Sequence, residues 1–181
     1  MPSPVGHALA GVAAGFLVRR IGPTQPSGRA AGARLSRHLL SDRQIIVFAL
    51  LGTLADIDFL FGIHSAYTHS IGAILVVAAV GSLQAQGRGP LFALSLAAAY
   101  GSHVLLDWLG SDSVTPIGVM ALWPISSDFF LSDRRWFMSV CREYWLVQCW
   151  WHNALGVTRE ILFLGPVAFG ATYLAAIRSD R

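Results

Sequence analysis

Five apolar runs constrain this chain more than any other feature: Pro4–Val18, Gln44–Ile63, Ser70–Leu83, Pro90–Leu109 and Ile161–Ile177. Each approaches the roughly 20 residues that cross the hydrocarbon core of a bilayer as a helix. Composition agrees, with 54% hydrophobic residues and only 13% charged over 181 residues, where soluble domains carry about 25% charged. That balance excludes a disordered tail and a charge-rich nucleic-acid module, so no nucleic acid is expected as a partner. The expected fold is all-α: a polytopic membrane bundle of about five short transmembrane helices plus an interfacial amphipathic helix. Residues 1–181 read as one integral-membrane domain. Within it, 19–43 reads as a mobile, Arg-rich linker and 110–159 as a Trp-rich interfacial segment. The first run lacks a preceding basic stretch and does not read as a secretory signal.

All 13 cationic residues are arginine. Nine fall in the segment after the first run, the turn at Arg88 and the C-terminal tail, while Arg134, Arg135, Arg142 and Arg159 fall on the opposite side. The positive-inside rule then puts the nine-arginine side in the cytoplasm. Trp136–Trp151 reads as the amphipathic interfacial helix. If it is helical, Cys141 and Cys149 lie about 12 Å apart along it, too far for a disulfide. No CxxC is present, so no thiolate metal site is indicated.

On this topology His7, Asp56, Asp58, His64, His69, His103 and Asp107 all fall at one end of the bundle, the outer one. Asp56 and His103 each sit roughly 10 Å below their end of the helix. Ionisable groups inside a membrane are costly and face one another or a wet cavity. A divalent cation compensates several carboxylates and imidazoles together. His103 and Asp107 are four apart and share a helix face. Asp56 and Asp58 are two apart, about 200° around a regular helix. Both can ligate only if the helix unwinds; otherwise one ligates and the other orients an imidazole. Mixed His/carboxylate donors suit zinc first, with manganese or iron as alternatives. The candidates exceed the four ligands of one zinc, so one or two ions are expected, His7 completing the second position. The blander readings are capping by Thr68 and Ser70, a simple turn at Thr115, Pro116 and Gly118, and solvated His38 and His152.

The ordered motifs Gly6-His7, Leu54-Ala-Asp-Ile-Asp58, His64-Ser-Ala-Tyr-Thr-His-Ser70, His103-Val-Leu-Leu-Asp107, Thr115-Pro-Ile-Gly-Val119 and Leu122-Trp-Pro124 resemble the YdjM-type family of membrane-bound, metal-dependent hydrolases, mostly bacterial inner-membrane proteins. Ala55 stands where the family has proline, and Ser65-Ala66 where it has Arg-Gly. The order Asp56, His69, His103, Asp107 is also similar to that of zinc-dependent phospholipase C, whose further HxxxE is missing here.

The resemblance implies hydrolysis of a phosphoester or other ester, lipid among the candidates, by a metal-activated water at the outer face of the inner membrane. His7, Asp56, Asp58, His69, His103 and Asp107 are the expected metal ligands, and His64 and Asp58 the expected catalytic acid/base pair. The partners implied are the bilayer and that substrate. The rival reading is a non-catalytic membrane protein that binds or transports a metal, because intramembrane His and Asp chains also serve transport.

Overall fold

The computed structural model describes residues 1–21, 32–60, 62, 64–85 and 89–179, with the side chains of 32–41 and 179 outside the description. The helices are α1 (Pro4–Ile21), α2 (Gly32–Thr53), α3 (Ile71–Leu83), α4 (Pro90–Trp108) and α5 (Val147–Ser179), with a 3-10 segment at Leu54–Leu60 after α2. No strand occurs among the described residues. The expected linker at 19–43 is shorter than the sequence suggested, since α1 runs to Ile21 and α2 begins at Gly32. Residues 22–31 and 86–88 lie outside the described residues, as does the side chain of His38.

Local chemistry sets the helix starts. Ser3 caps α1, its hydroxyl accepting from the Gly6 N–H at 3.2 Å. Pro4 occupies the first helical position, where a missing N–H costs nothing. Ser70 caps α3 by accepting from the Ala73 N–H at 3.1 Å. The Ile71 and Gly72 amides donate to the Ala121 and Trp123 carbonyls, each at 2.9 Å. All four hydrogen bonds satisfy donors that a helix start leaves open.

Helix α1 lies between α2, α4 and α5, while α3 packs on α4. The core gathers Val12, Ala13, Phe16, Phe48, Ala99, Ala168 and Ala171, with Phe16 and Phe48 edge to face at 5.2 Å. The small residues let backbones approach closely, which is how helices associate where lipid is the solvent. The tightest approach is Gly11 on Gly52: a Cβ on Gly11 would overlap the Phe48 carbonyl, and one on Gly52 the His7 carbonyl. This crossing fixes the C-terminal end of α2 beside α1 and α4, where the polar residues gather.

Among the described residues, two helices are long and apolar enough to cross a membrane, 90–108 and 147–178. Helix α3, at 13 residues, is about 20 Å long, short of the roughly 30 Å hydrocarbon core. Helix α5 exposes Leu162, Phe163, Phe169 and Tyr173, an apolar face suited to lipid.

The segment between α4 and α5 departs from expectation. Trp136–Trp151 is not one helix; α5 begins only at Val147. The preceding chain has no regular secondary structure and is tied down. Trp136 N–H donates to Leu109 O at 2.9 Å and Ser111 N–H to Phe137 O at 2.9 Å. His152 Nε2 reaches Ser139 O at 2.7 Å, and the Asn153 side chain bonds both the N–H and the carbonyl of Cys141, at 2.7 and 2.9 Å. With the helix starting late, the Cys141 and Cys149 Cα atoms are 5.3 Å apart and the pair forms a disulfide. The expectation that they are too distant fails with the helix it assumed. Trp136, Trp145, Trp150 and Trp151 are exposed, whereas Trp123 turns inward over Gly72 and meets Tyr67 edge on.

Candidate metal centre

Four elements deliver the polar cluster. Helix α1 brings His7, the 3-10 segment Asp56 and Asp58, the turn before α3 His64 and His69, and α4 His103 and Asp107. His7, His69, His103 and Asp107 are essentially inaccessible to solvent. Asp56 is 27% exposed, so the cluster opens to its surroundings on that side.

Asp56, His69, His103 and Asp107 each aim one donor atom at a common point. His69 Nε2 lies 3.1 Å from His103 Nε2 and 3.1 Å from Asp107 Oδ2. His103 Nε2 lies 3.2 Å from Asp107 Oδ2 and 3.4 Å from Asp56 Oδ1. Asp56 Oδ1 is 3.7 Å from His69 Nε2. Ligands about 2.0–2.1 Å from a tetrahedral zinc stand about 3.3–3.4 Å apart. The observed edges bracket that value.

Hydrogen bonding assigns the imidazole tautomers. His103 Nδ1 lies 2.7 Å from Gly52 O, and a carbonyl only accepts, so Nδ1 carries the proton. His69 Nδ1 faces Asp58 Oδ2 at 3.1 Å, again an acceptor. In the neutral rings both Nε2 atoms therefore present lone pairs, to each other and to two carboxylates. Neither oxygen of buried Asp107 accepts a hydrogen bond from a hydroxyl or amide. Such a convergence of acceptors needs a positive charge at its centre, and the residues fit a divalent cation.

Asp58 stands one layer behind. Its Oδ2 accepts from the Ser65 N–H at 2.9 Å and the Thr68 hydroxyl at 2.8 Å, while Oδ1 faces His64 Nδ1 at 2.9 Å. With its oxygens so engaged, Asp58 orients His69 rather than joining the four donors. The 3-10 geometry turns Asp56 to the centre and Asp58 to the far nitrogen of His69. Burial disfavours a charged His69, yet Asp107, Asp56 and Asp58 together raise it to about 11 without a metal.

His7 reaches Asp107 Oδ1 at 3.2 Å and stacks on His103 at 3.7 Å, tilted 15°. No group of three or more donors among the described residues includes it. His7 therefore braces the outer oxygen of Asp107. His64 is 17% exposed, stacks on Phe59 at 3.8 Å and lines a cleft with Ser65, Thr115 and Pro116. Thr68 supports Asp58 rather than capping a helix, and His152 clamps backbone rather than facing solvent freely. A second grouping among the described residues, Asp56, Asp58, His64 and His69, shares Asp56 and His69 with the first, and a third, Cys141, Glu143 and Cys149, offers no thiolate, because its sulfurs are joined.

Glu160 escaped the sequence reading. Buried in α5, it accepts from the Ser3 N–H at 2.8 Å and from the Ser3 hydroxyl. A Cβ on Gly6 would strike its carboxylate. The acid sits at the positive end of α1 and fixes the helix that carries His7. Its one sequence signal is an acidic residue opening an apolar run.

The family model described as YdjM inner membrane protein matches residues 1–181. No curated protein and no solved structure matches the chain.

Proposed function

Because the chain belongs to the YdjM inner membrane protein family, we propose that it is a membrane-embedded, metal-dependent hydrolase acting on a phosphoester or other ester. The observation that carries the reading is the convergence of four acceptors whose outer nitrogens, His69 Nδ1 and His103 Nδ1, are both committed to acceptors. The two imidazoles and two carboxylates suit zinc; His7 is a brace, so one ion is proposed.

A divalent cation held by Asp56, His69, His103 and Asp107 supplies Lewis acidity toward a substrate oxygen and acidifies water. The chain does the rest. Asp58 fixes the His69 ring and strengthens it as a ligand. Gly52 fixes His103 in the same way. Asp56, partly exposed, marks the side from which substrate approaches. His64, at the rim, has both ring nitrogens engaged, Nδ1 by Asp58 Oδ1 at 2.9 Å and Nε2 by Met1 Sδ at 3.0 Å, and proton transfer through it would require displacing that thioether.

The five-span topology and the outward orientation of the site belong to the same proposal. The Cys141–Cys149 disulfide supports that orientation, since disulfides persist on the oxidising side of a bacterial inner membrane. The exposed tryptophans around it suit headgroup depth. The test is hydrolysis of p-nitrophenyl phosphate and of phospholipid by protein purified in neutral detergent. Activity should disappear with a chelator, return with zinc and be absent in Asp107→Asn. Activity indifferent to both chelator and Asp107→Asn refutes the reading.

A further inference from the structure

The cleft beside His64, about 400 Å³ in volume, is lined by Phe59, His64, Ser65, Asp112, Thr115 and Arg142 among others. Arg142 is its cation. The guanidinium carbon lies 5.2 Å from the Phe59 ring centroid, and the Phe59 ring also stacks on His64. Stacking occupies only the face of a guanidinium and leaves its N–H edge free to bind. Among the described residues Arg142 has no carboxylate partner. The acid on the same cleft, Asp112, directs its oxygens elsewhere, to the Val114 N–H at 3.1 Å and the Gly118 N–H at 2.9 Å.

The chain around Arg142 is held more firmly than a solvated arginine requires. The preceding residue, Cys141, is bonded to Cys149 and clamped by both ends of the Asn153 amide. Three residues upstream of Arg142, Ser139 is held by His152. The segment has no regular structure of its own, so these ties fix where it carries its charge. That place is a cleft joined to the metal centre through the run His64, Asp58, His69.

The Ser65 hydroxyl and His64 Nε2 on the same cleft both face Met1 Sδ, at 3.3 and 3.0 Å, which leaves the guanidinium as the open donor; we propose that Arg142 binds the anionic phosphate group of the substrate, which makes the substrate a phosphoester rather than a neutral ester. The proposal deepens the hydrolase reading and rests on it for the word substrate. The binding claim can be tested apart from catalysis. A planar guanidinium pairs with phosphate through two parallel hydrogen bonds, and losing it weakens binding by about ten- to a hundredfold.

The experiment is calorimetric titration of inorganic phosphate into chelator-treated protein in neutral detergent at low ionic strength. Wild-type, Arg142→Gln and Arg142→Lys are compared, and zinc content is measured in parallel on the untreated proteins. The expected result is phosphate binding by wild-type, a loss of about tenfold or more in Arg142→Gln, partial retention in Arg142→Lys and equal zinc in all three. Glycerol phosphate against phosphatidate in neutral nanodiscs then separates a soluble source from a lipid headgroup. Absence of phosphate binding by wild-type overturns the proposal, as does equal affinity in Arg142→Gln. Arg142-dependent phosphate binding by a protein that hydrolyses nothing upholds this inference and refutes the hydrolase reading. Zinc-dependent hydrolysis with unaltered phosphate affinity in Arg142→Gln does the reverse.

Discussion

Replacing Asp58 by asparagine separates a metal ligand from the residue behind it. In the structure Asp58 Oδ2 collects the Ser65 N–H, the Thr68 hydroxyl and His69 Nδ1, and Oδ1 faces His64 Nδ1. Asparagine keeps the shape. Its carbonyl oxygen takes the Oδ2 position, where three donors converge, and its NH2 group faces His64, which answers by switching tautomer. What disappears is the charge that strengthens His69 as a ligand. Second-layer carboxylates of this kind change metal affinity by about 10- to 100-fold, equivalent to about 1.4–2.7 kcal/mol. Loss of a direct donor such as Asp107 should instead abolish stoichiometric binding. The assay is competition for zinc against a chromophoric chelator, with circular dichroism confirming helix content. The expected order of affinities is wild-type and His64→Gln together, then Asp58→Asn, then Asp107→Asn. If Asp58→Asn empties the protein of zinc while Asp56→Asn retains it, the assignment of the two aspartates is reversed and the reasoning fails.

Other outcomes follow from the same geometry. Gly52→Ala should force α1 from α2 and draw the Gly52 carbonyl away from His103, costing about 1–3 kcal/mol; thermal unfolding in detergent and zinc affinity should fall together. Glu160→Leu should leave the Ser3 N–H buried without a partner, at a cost of about 1–3 kcal/mol, read by the same unfolding assay. Without metal, His69 is raised from 6.5 to about 11, so its contribution to stability is complete below pH 6.5 and lost as pH climbs toward 11. Metal-free protein should therefore resist denaturant better in mildly acidic than in alkaline solution, and a urea midpoint that rises steadily from pH 6 to pH 10 would contradict this. Zinc must displace the His69 proton, so zinc affinity should rise with pH between 6 and 8, with proton release detectable by calorimetry in two buffers.

Much of the centre was legible in the chain itself. His103 and Asp107 share a face by helical arithmetic alone, and His69 follows from the same end of the bundle. The division between Asp56 and Asp58 was not legible, because it depends on a 3-10 turn that apolar content does not reveal. His7 could be placed at the right depth but not assigned, since only the structure shows it reaching a single oxygen of Asp107. The Cys141–Cys149 bond was misread because tryptophan-rich amphipathic sequence resembles helix, while the clamps from His152 and Asn153 that tie the chain down are contacts across 12 or 13 residues. Glu160 was invisible for a similar reason, its partner Ser3 lying 157 residues away. Length and composition support a span at α4 and α5; for the short α3 the tertiary packing matters more than the hydropathy.

The central claim is that four acceptors are held together around a cation, and elemental analysis of protein purified from membranes without added metal tests it most directly. The account predicts about one zinc per chain in the wild-type and in His64→Gln, and none in His103→Ala or Asp107→Asn. Metal-free wild-type protein that takes up no zinc on titration, or unchanged zinc in His103→Ala and Asp107→Asn, would contradict it.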